Sequence, residues 1–370
     1  CGIGSALLDY NYKFVKRYFI ALVQSLLAIG ILILLFVKKI GIYSTPYAHV
    51  FSFLTISLIY AYIFLKNGYR FKSPLPVINR FIKEYFHLLL PIVFSWFFVW
   101  LIRFTDIFIA SFLKSGSISY LSYCQRINLY TSVIANVVCS IYFPVLSRLS
   151  SSKENSNYLV VFDKGLQTLF TISLSFTLFI FLFSYQIIEI LFQHGNFLNK
   201  DTIMVSKLLR YYFFALLCAP MGSYFSIVYF SYRKTKPAMV YSIISSSINI
   251  VLNVILGYYI GIIGVVTASS IAFLAGNIMQ ILNIKRVNPE YRLLNSLQKL
   301  YKSFFAGVVT FLIYVFVNRY FNHFYFDAYI ITKIIYLGIC FISFLIVFTS
   351  LSYFLNVEVV REAIKKALKK

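Results

Sequence analysis

The sequence predicts an all-α polytopic membrane protein with about ten transmembrane helices, and three observations carry that expectation. Hydrophobic residues make up 60% and aromatic residues 20% of the 370 residues, and the mean hydropathy is +0.81, beyond the range of an ordinary soluble domain. The apolar residues fall into runs of roughly 20–28, each long enough to cross the ~30 Å hydrocarbon core as a helix. The 34 Lys and Arg residues, which set a formal net charge of +23, sit between the runs rather than on one basic face. That placement is a topological signal and not a nucleic-acid footprint.

Residues 2–12 read as the tail of an earlier helix followed by a turn. The chain starts at Cys1 rather than Met and shows no signal peptide, so it is expected to be a fragment whose N-terminal part is missing. The first full span is predicted at about 18–36, flanked by Lys13, Lys16 and Arg17 and closed by Lys38 and Lys39. A loop with Pro46 leads to the second, about 48–65. The basic linker 66–83, with Pro74 and Pro76, is the best internal boundary, and its end, 75–86, reads as an amphipathic interfacial turn. The third span, about 85–113, contains Pro91 and Asp106; the fourth, about 118–146, carries Arg126. The tight polar connection Lys114-Ser115-Gly116-Ser117 joins them.

A polar loop, 150–157, precedes the fifth span at about 166–190, and a loop with His194 and Gly195 leads to the sixth at about 203–230. The seventh (about 239–258) and eighth (about 260–282) follow almost without a loop. After a second basic linker come the ninth (about 300–317) and tenth (about 330–354). The tail 358–370 reads as a basic amphipathic helix on the membrane surface. With the start of the chain placed inside and the spans alternating, 24 of the 34 basic residues fall in inside segments, so both ends are expected in the cytoplasm.

Catalytic chemistry is not encoded in any recognisable pattern. The four histidines (His49, His87, His194, His323) and eleven acids are thinly spread, with no HExxH, GxSxG or P-loop, and an enzyme is not expected. The five cysteines (Cys1, Cys124, Cys139, Cys218, Cys340) lack metal-ligand or redox spacing and read as small packing residues.

Polar groups at membrane depth are the informative feature. An ionisable side chain there costs about 2.5–3.5 kcal/mol on insertion scales, so Asp106 and Arg126 are expected to face a cavity rather than lipid. Arg103, three residues before Asp106, reads as partly neutralised by it. Gln125, Asn128 and Asn136 share the fourth span with Arg126; the seventh carries Ser245, Ser246, Ser247, Asn249 and Asn253; the eighth offers Thr267, Ser269 and Ser270. Asn249 and Asn253, four apart, share a helix face. This set reads either as interhelical packing glue or, with Asp106, a main-chain carbonyl and a hydroxyl, as oxygens for a hard cation such as Na⁺. Arg126 reads either as a two-pronged phosphate binder or as a structural partner of Asp106 or of a helix C-terminus.

Four motifs carry a family resemblance. The stretch FTDIFIASFLKSGSISYLSYCQRINLY resembles the DT-hASxL-x-GSIS-x-LYYADR stretch of the lipid II flippases (the MurJ/MviN family), members of the multidrug/oligosaccharidyl-lipid/polysaccharide exporter superfamily. FPVLSR, at 143–148, is similar to that family's LPxLS; LFQHGNFLNKDT is similar to its LFxxGxFTxxDT loop; and residues 229–272 are similar to its FYAxxDTKTPxxI…NxxLNxxL…GxxGLALATS stretch.

The resemblance implies a fourteen-helix, two-lobe fold with a C-terminal helix pair, of which this chain supplies the fifth to the fourteenth helix. It assigns 1–84 to the last helices of the N-terminal lobe, 85–284 to a six-helix C-terminal lobe, and 285–370 to the helix pair and basic cytoplasmic tail. The implied activity is movement of lipid II, the undecaprenyl-pyrophosphate-linked peptidoglycan precursor, from the inner to the outer leaflet of a bacterial cytoplasmic membrane by alternating access. Arg126 matches the family's essential cavity arginine, with Gln125 and Ser119 beside it in the implied substrate-binding set. Asp106, Asn249, Val265 and Ser269 match positions of a sodium site in some members, and Asn253 matches an aspartate there, so one carboxylate is replaced. Gln125 stands where the family usually has Asp, and Leu129 where some members carry Glu. Membrane lipids and cell-wall synthesis proteins are the implied partners, and Na⁺ is the implied coupling ion, with no other cofactor. An exporter of another lipid-linked oligosaccharide or of drugs, and a non-transporting scaffold for cell-wall synthesis, are the competing readings.

Overall fold

A computed structural model of the chain describes residues 8, 14–39, 41–66, 68, 80–152, 154–326 and 329–368. The regular elements described are all helical. In chain order they are α1 (Phe14–Val37), α2 (Ser44–Lys66), α3 (Arg80–Ser111), α4 (Ser117–Ser151), α5 (Asn155–Leu182), α6 (Ser184–Phe192), α7 (Asn199–Tyr211), α8 (Phe213–Ser231), α9 (Thr235–Ile260), α10 (Ile262–Asn283), α11 (Leu293–Phe326), α12 (Ile330–Phe354) and α13 (Glu358–Leu368). Ten of these are long and apolar enough to cross a membrane, so the ten-span, all-α, multi-pass expectation holds. The N-terminal helix tail expected at 2–12, apart from Leu8, and the expected interfacial turn up to residue 79 lie outside the described residues.

The chain divides into two compact units, Cys1–Asn79 and Arg80–Lys370. In the first, α1 and α2 form a hairpin across a 3₁₀ turn at Gly41–Tyr43, and Gly41 takes a left-handed φ of 67°. Ile20, Ile56 and Tyr60 form its small core together with Leu8.

In the second unit the core lies in three clusters. Tyr158, Phe162, Tyr224 and Tyr229 join α5 to α8. Leu121 and Cys124 of α4 meet Val205, Leu208 and Leu209 of α7 and Val265 and Val266 of α10. Leu174, Phe179 and Phe183 meet Tyr314 of α11 and Phe344 and Phe348 of α12. A polar zipper then runs along α5 and α11. Ser296 Oγ donates to Asp163 Oδ1 (2.6 Å), Lys299 Nζ to Asp163 Oδ2 (3.0 Å), and Gln167 Nε2 to the Lys299 carbonyl (2.9 Å), while Thr171 and Ser303 share a hydroxyl bond (2.8 Å). Residues 163, 167 and 171 repeat every four, so one face of α5 presents all three. The second basic linker is thus half helical, because Ser296 and Lys299 belong to α11.

The fifth and sixth spans differ from expectation. The expected 166–190 span is α5, ending at Leu182, followed by a break at Phe183 and the short α6. The expected 203–230 span is α8, preceded by a break at Tyr212 and the separate α7. Length supplies the reason. About 20 helical residues already cross the hydrocarbon core, and α7, with Asn199, Lys200, Asp201, Lys207 and Arg210, is too polar to add to a span. The surplus folds into an α6–α7 hairpin at the ends of α5 and α8. At the other end of α5, α13 docks through Lys164, which pairs with Glu362 at 2.7 Å and Glu358 at 3.7 Å.

Candidate functional site

The α9–α10 connection is almost a direct reversal. Gly261 turns the chain at φ 70°, ψ −143°, where a side chain would be strained. Gly264 lies so close to the Leu256 carbonyl that a Cβ there would clash with the backbone. The two helices therefore pack as one hairpin, and their serines stitch it together and to its neighbours. Ser245 Oγ donates to the Ala272 carbonyl (2.8 Å), Ser246 Oγ to the Phe98 carbonyl of α3 (2.7 Å), and Ser270 Oγ to the Tyr211 carbonyl (2.9 Å). These are packing bonds between helices.

The asparagines behave differently. Asn253 Nδ2 donates to Asp106 Oδ1 at 2.7 Å and to Asn249 Oδ1 at 2.9 Å. Asn249 Nδ2 lies 3.4 Å from Asp106 Oδ1 and 3.1 Å from Ser269 Oγ, and Ser269 Oγ lies 2.9 and 3.0 Å from the two carboxylate oxygens. Asp106 and Ser269 are 1% exposed and both asparagines 0%, so the cluster is sealed. Val265 is buried one turn before Ser269 and packs into the apolar cluster with Val266. Of the five cation-site candidates, Asp106, Asn249, Asn253 and Ser269 form one side-chain network and Val265 lies beside it.

Asp106 meets only neutral partners. Among the described residues no Lys or Arg reaches ion-pair distance of it, and the Arg103 guanidinium lies over the Trp100 ring at 5.3 Å, so the expected neutralisation of Arg103 by Asp106 does not occur. Asn253 Oδ1 is buried with no donor. The oxygens of Asp106, Asn249, Asn253 and Ser269 are hard donors carrying one formal negative charge in all. That donor set fits a monovalent hard cation.

The substrate-binding candidates divide between two faces of α4. Arg126 and Ser119 are exposed and lie seven residues apart, two turns along one face. Arg126 has no ion pair among the described residues, and its guanidinium sits over the Tyr123 ring at 5.7 Å. The reading of Arg126 as a partner for Asp106 therefore has no contact behind it. Gln125 instead turns its amide toward the Asp106 carboxylate, and its Nε2 is buried without completing a hydrogen bond. Leu129 is exposed on the Arg126 side.

One pairing near the start of α4 was not visible in the sequence. Tyr120 Oη donates to Asp201 Oδ1 at 2.7 Å, and the Leu198 N–H donates to Asp201 Oδ2 at 2.8 Å. These two bonds, the Tyr120 hydroxyl first, hold the Asp201 carboxyl below its ordinary value. Thr202 Oγ1 donates to Gln193 Oε1 (2.6 Å), and Gly195 takes a left-handed φ of 61°. The motif LFQHGNFLNKDT thus builds the α6–α7 hairpin and latches it to the start of α4. The signal was the recurrence of Asp and Thr after the Gly turn, which reads equally well as a loop.

Comparison with known proteins places these features. The sequence profile described as "Lipid II flippase MurJ" matches residues 1–334. A probable lipid II flippase MurJ of Helicobacter pylori is 29% identical over 221 residues, 60% of this chain and 46% of that protein. The lipid II flippase MurJ of Thermosipho africanus is 36% identical over 141 residues, 38% of this chain and 29% of that protein. The chain thus spans about half the length, or less, of the curated relatives it matches. Among solved structures, the inward closed conformation of a lipid II flippase MurJ aligns with TM-score 0.62 and 24% identity, covering 97% of this chain and 71% of that one. An outward-facing multidrug resistance MATE family transporter aligns with TM-score 0.65 and 17% identity, covering 78% and 66%. Both likenesses concern the fold.

Proposed function

The chain belongs to the lipid II flippase MurJ family, and on that premise we propose that it moves lipid II from the inner to the outer leaflet of the bacterial cytoplasmic membrane by alternating access. The observation that carries this reading is Arg126, an exposed guanidinium within a span and free of any acid among the described residues. A diphosphate entering a low-dielectric setting needs a fixed cation, and a planar fork of donors holds two of its oxygens at once. Ser119, two turns away on the same face, adds a hydroxyl for the headgroup. Gln125 acts on the other side of α4, next to the carboxylate cluster.

In this reading Asp106, Asn249, Asn253, Ser269 and the Val265 carbonyl hold the coupling ion, Na⁺, when it is bound. Na⁺ there would supply the positive charge that Asp106 lacks, at the seam where Asp106 of α3 already bonds Asn253 and Ser269 of the α9–α10 hairpin. The chain's own chemistry is binding and positioning, with no covalent step. The basic-residue asymmetry supports a cytoplasmic C-terminus in this reading, where α13 can meet cell-wall synthesis proteins.

The test is growth of cells depleted of their own flippase and supplied with the full-length protein. Arg126→Ala should abolish rescue at wild-type abundance, and Arg126→Lys should rescue partly, keeping the charge without the fork. Full rescue by Arg126→Ala would make Arg126 a packing residue and remove this mechanism.

A further inference from the structure

A cavity of about 650 Å³ opens at the end of α5, walled by the α6–α7 hairpin and by Asn318 of α11. Span ends mark the depth at which hydrocarbon gives way to lipid headgroups. Lys207 and Arg210 of α7 line it, three residues apart and hence on one helix face, and both are exposed. Among the described residues no acidic side chain lines the cavity and neither cation has an ion pair. Arg210 Nε donates to Ser184 Oγ at 3.0 Å, which fixes the guanidinium while leaving its terminal nitrogens free to donate. Phe181 and Ile203 supply an apolar wall, and Tyr211 an interfacial ring. Asn318, on the α11 side, lines the same cavity with a buried Oδ1 that lacks a donor.

We propose that this cavity binds the phosphodiester headgroup of an anionic, hydroxyl-bearing lipid such as phosphatidylglycerol. Lys207 and Arg210 take the phosphate, Asn318 takes a headgroup hydroxyl, and Phe181 and Ile203 take the start of the acyl chains. The ligand is a resident of the surrounding leaflet, so the inference stands apart from the proposed transport activity. Bound there, it bridges α7 to α11 and steadies the hairpin that Asp201 latches to α4.

Native mass spectrometry of the full-length protein tests this directly. Retention of phosphatidylglycerol should exceed that of phosphatidylcholine, and the Lys207→Gln/Arg210→Gln variant should lose about thirtyfold of that preference, from two basic contacts near a membrane surface. Lys114→Gln/Lys200→Gln removes the same charge from exposed positions outside the cavity and should leave the preference unchanged. Inorganic phosphate and glycerol phosphate form the second arm: equal occupancy by either at millimolar concentration would make the ligand a free phosphate and overturn the lipid assignment. A preference that survives in the double variant would overturn the site itself. Should loss of the Ser184 bond unsettle the double variant, Lys207→Gln alone carries the same comparison.

Discussion

Two carboxylates are buried within the spans of the second unit, and they are treated in opposite ways. Asp163, 9% exposed, meets a cation and a hydroxyl, Lys299 and Ser296. Asp106, 1% exposed, meets two amides and a hydroxyl and no cation among the described residues. The first arrangement is electrically closed and reads as a fastener between α5 and α11. The second keeps an uncompensated charge in a sealed place, a cost no fastener requires. The contrast separates a charge-paired carboxylate from an unpaired one where burial alone would rank them alike.

The largest expected effect comes from breaking the closed pair. Asp163→Asn strands the Lys299 ammonium at the α5–α11 seam; with Lys299 about one-third exposed, the loss is discounted from the fully buried case to about 1–3 kcal/mol. Thermal unfolding of the purified protein should show a lower melting temperature that is independent of sodium. A melting temperature equal to wild type would mean the zipper is held by its hydroxyl and amide bonds alone.

Asp106→Asn should do the reverse. In sodium-free buffer its melting temperature should match or exceed that of wild type, because an amide replaces a charge that had no counter-ion. Sodium should then stabilise the wild type and leave the variant unmoved, and the variant should fail to rescue flippase-depleted cells. An Asp106→Asn variant as unstable as Asp163→Asn would erase the distinction and make both carboxylates structural. Adding a carboxylate, Asn253→Asp, should strengthen the sodium-dependent shift, since a second negative charge faces the same ion.

The smallest effect sharpens the comparison outside the spans. The Asp201 carboxyl is held below its ordinary value of 3.8 by Tyr120 and the Leu198 N–H. A depressed carboxyl contributes stability that is fully present above the ordinary value and is lost as pH falls through the lower folded value. Melting temperature followed from pH 5 downward should fall more steeply for wild type than for Asp201→Asn. Parallel curves would show that the Tyr120 latch adds nothing to the fold.

The sequence carried the spans and the polar cluster around Asp106, but not the joints. Ten apolar runs need only length and composition to be recognised. Asp106, Asn249 and Asn253 stood out because a polar group in an apolar run has few uses, and the fourfold spacing put both amides on one face. The breaks at Phe183 and Tyr212 were hidden because aromatic residues continue the apolar run straight through them. Serines were ambiguous for a physical reason. Ser245 and Ser246 bond backbone carbonyls of neighbouring helices, whereas Ser269, of the same residue type, bonds a carboxylate, and only the third dimension separates the two uses.

The distance along the chain between Asp106 and its partners sets an order of events during synthesis. Asn249 follows it by 143 residues and Ser269 by 163. At about 5–20 residues per second the ribosome needs roughly 7–30 s to deliver them. For that interval α3 must enter the bilayer without the α9 and α10 groups that bond its carboxylate, against about 2.5–3.5 kcal/mol, and roughly six residues such as Phe, Ile or Leu offset that cost. The dense Phe, Ile, Leu and Trp content of α3 is therefore matched to the nascent chain, which has to insert this helix before the groups that will hold it exist.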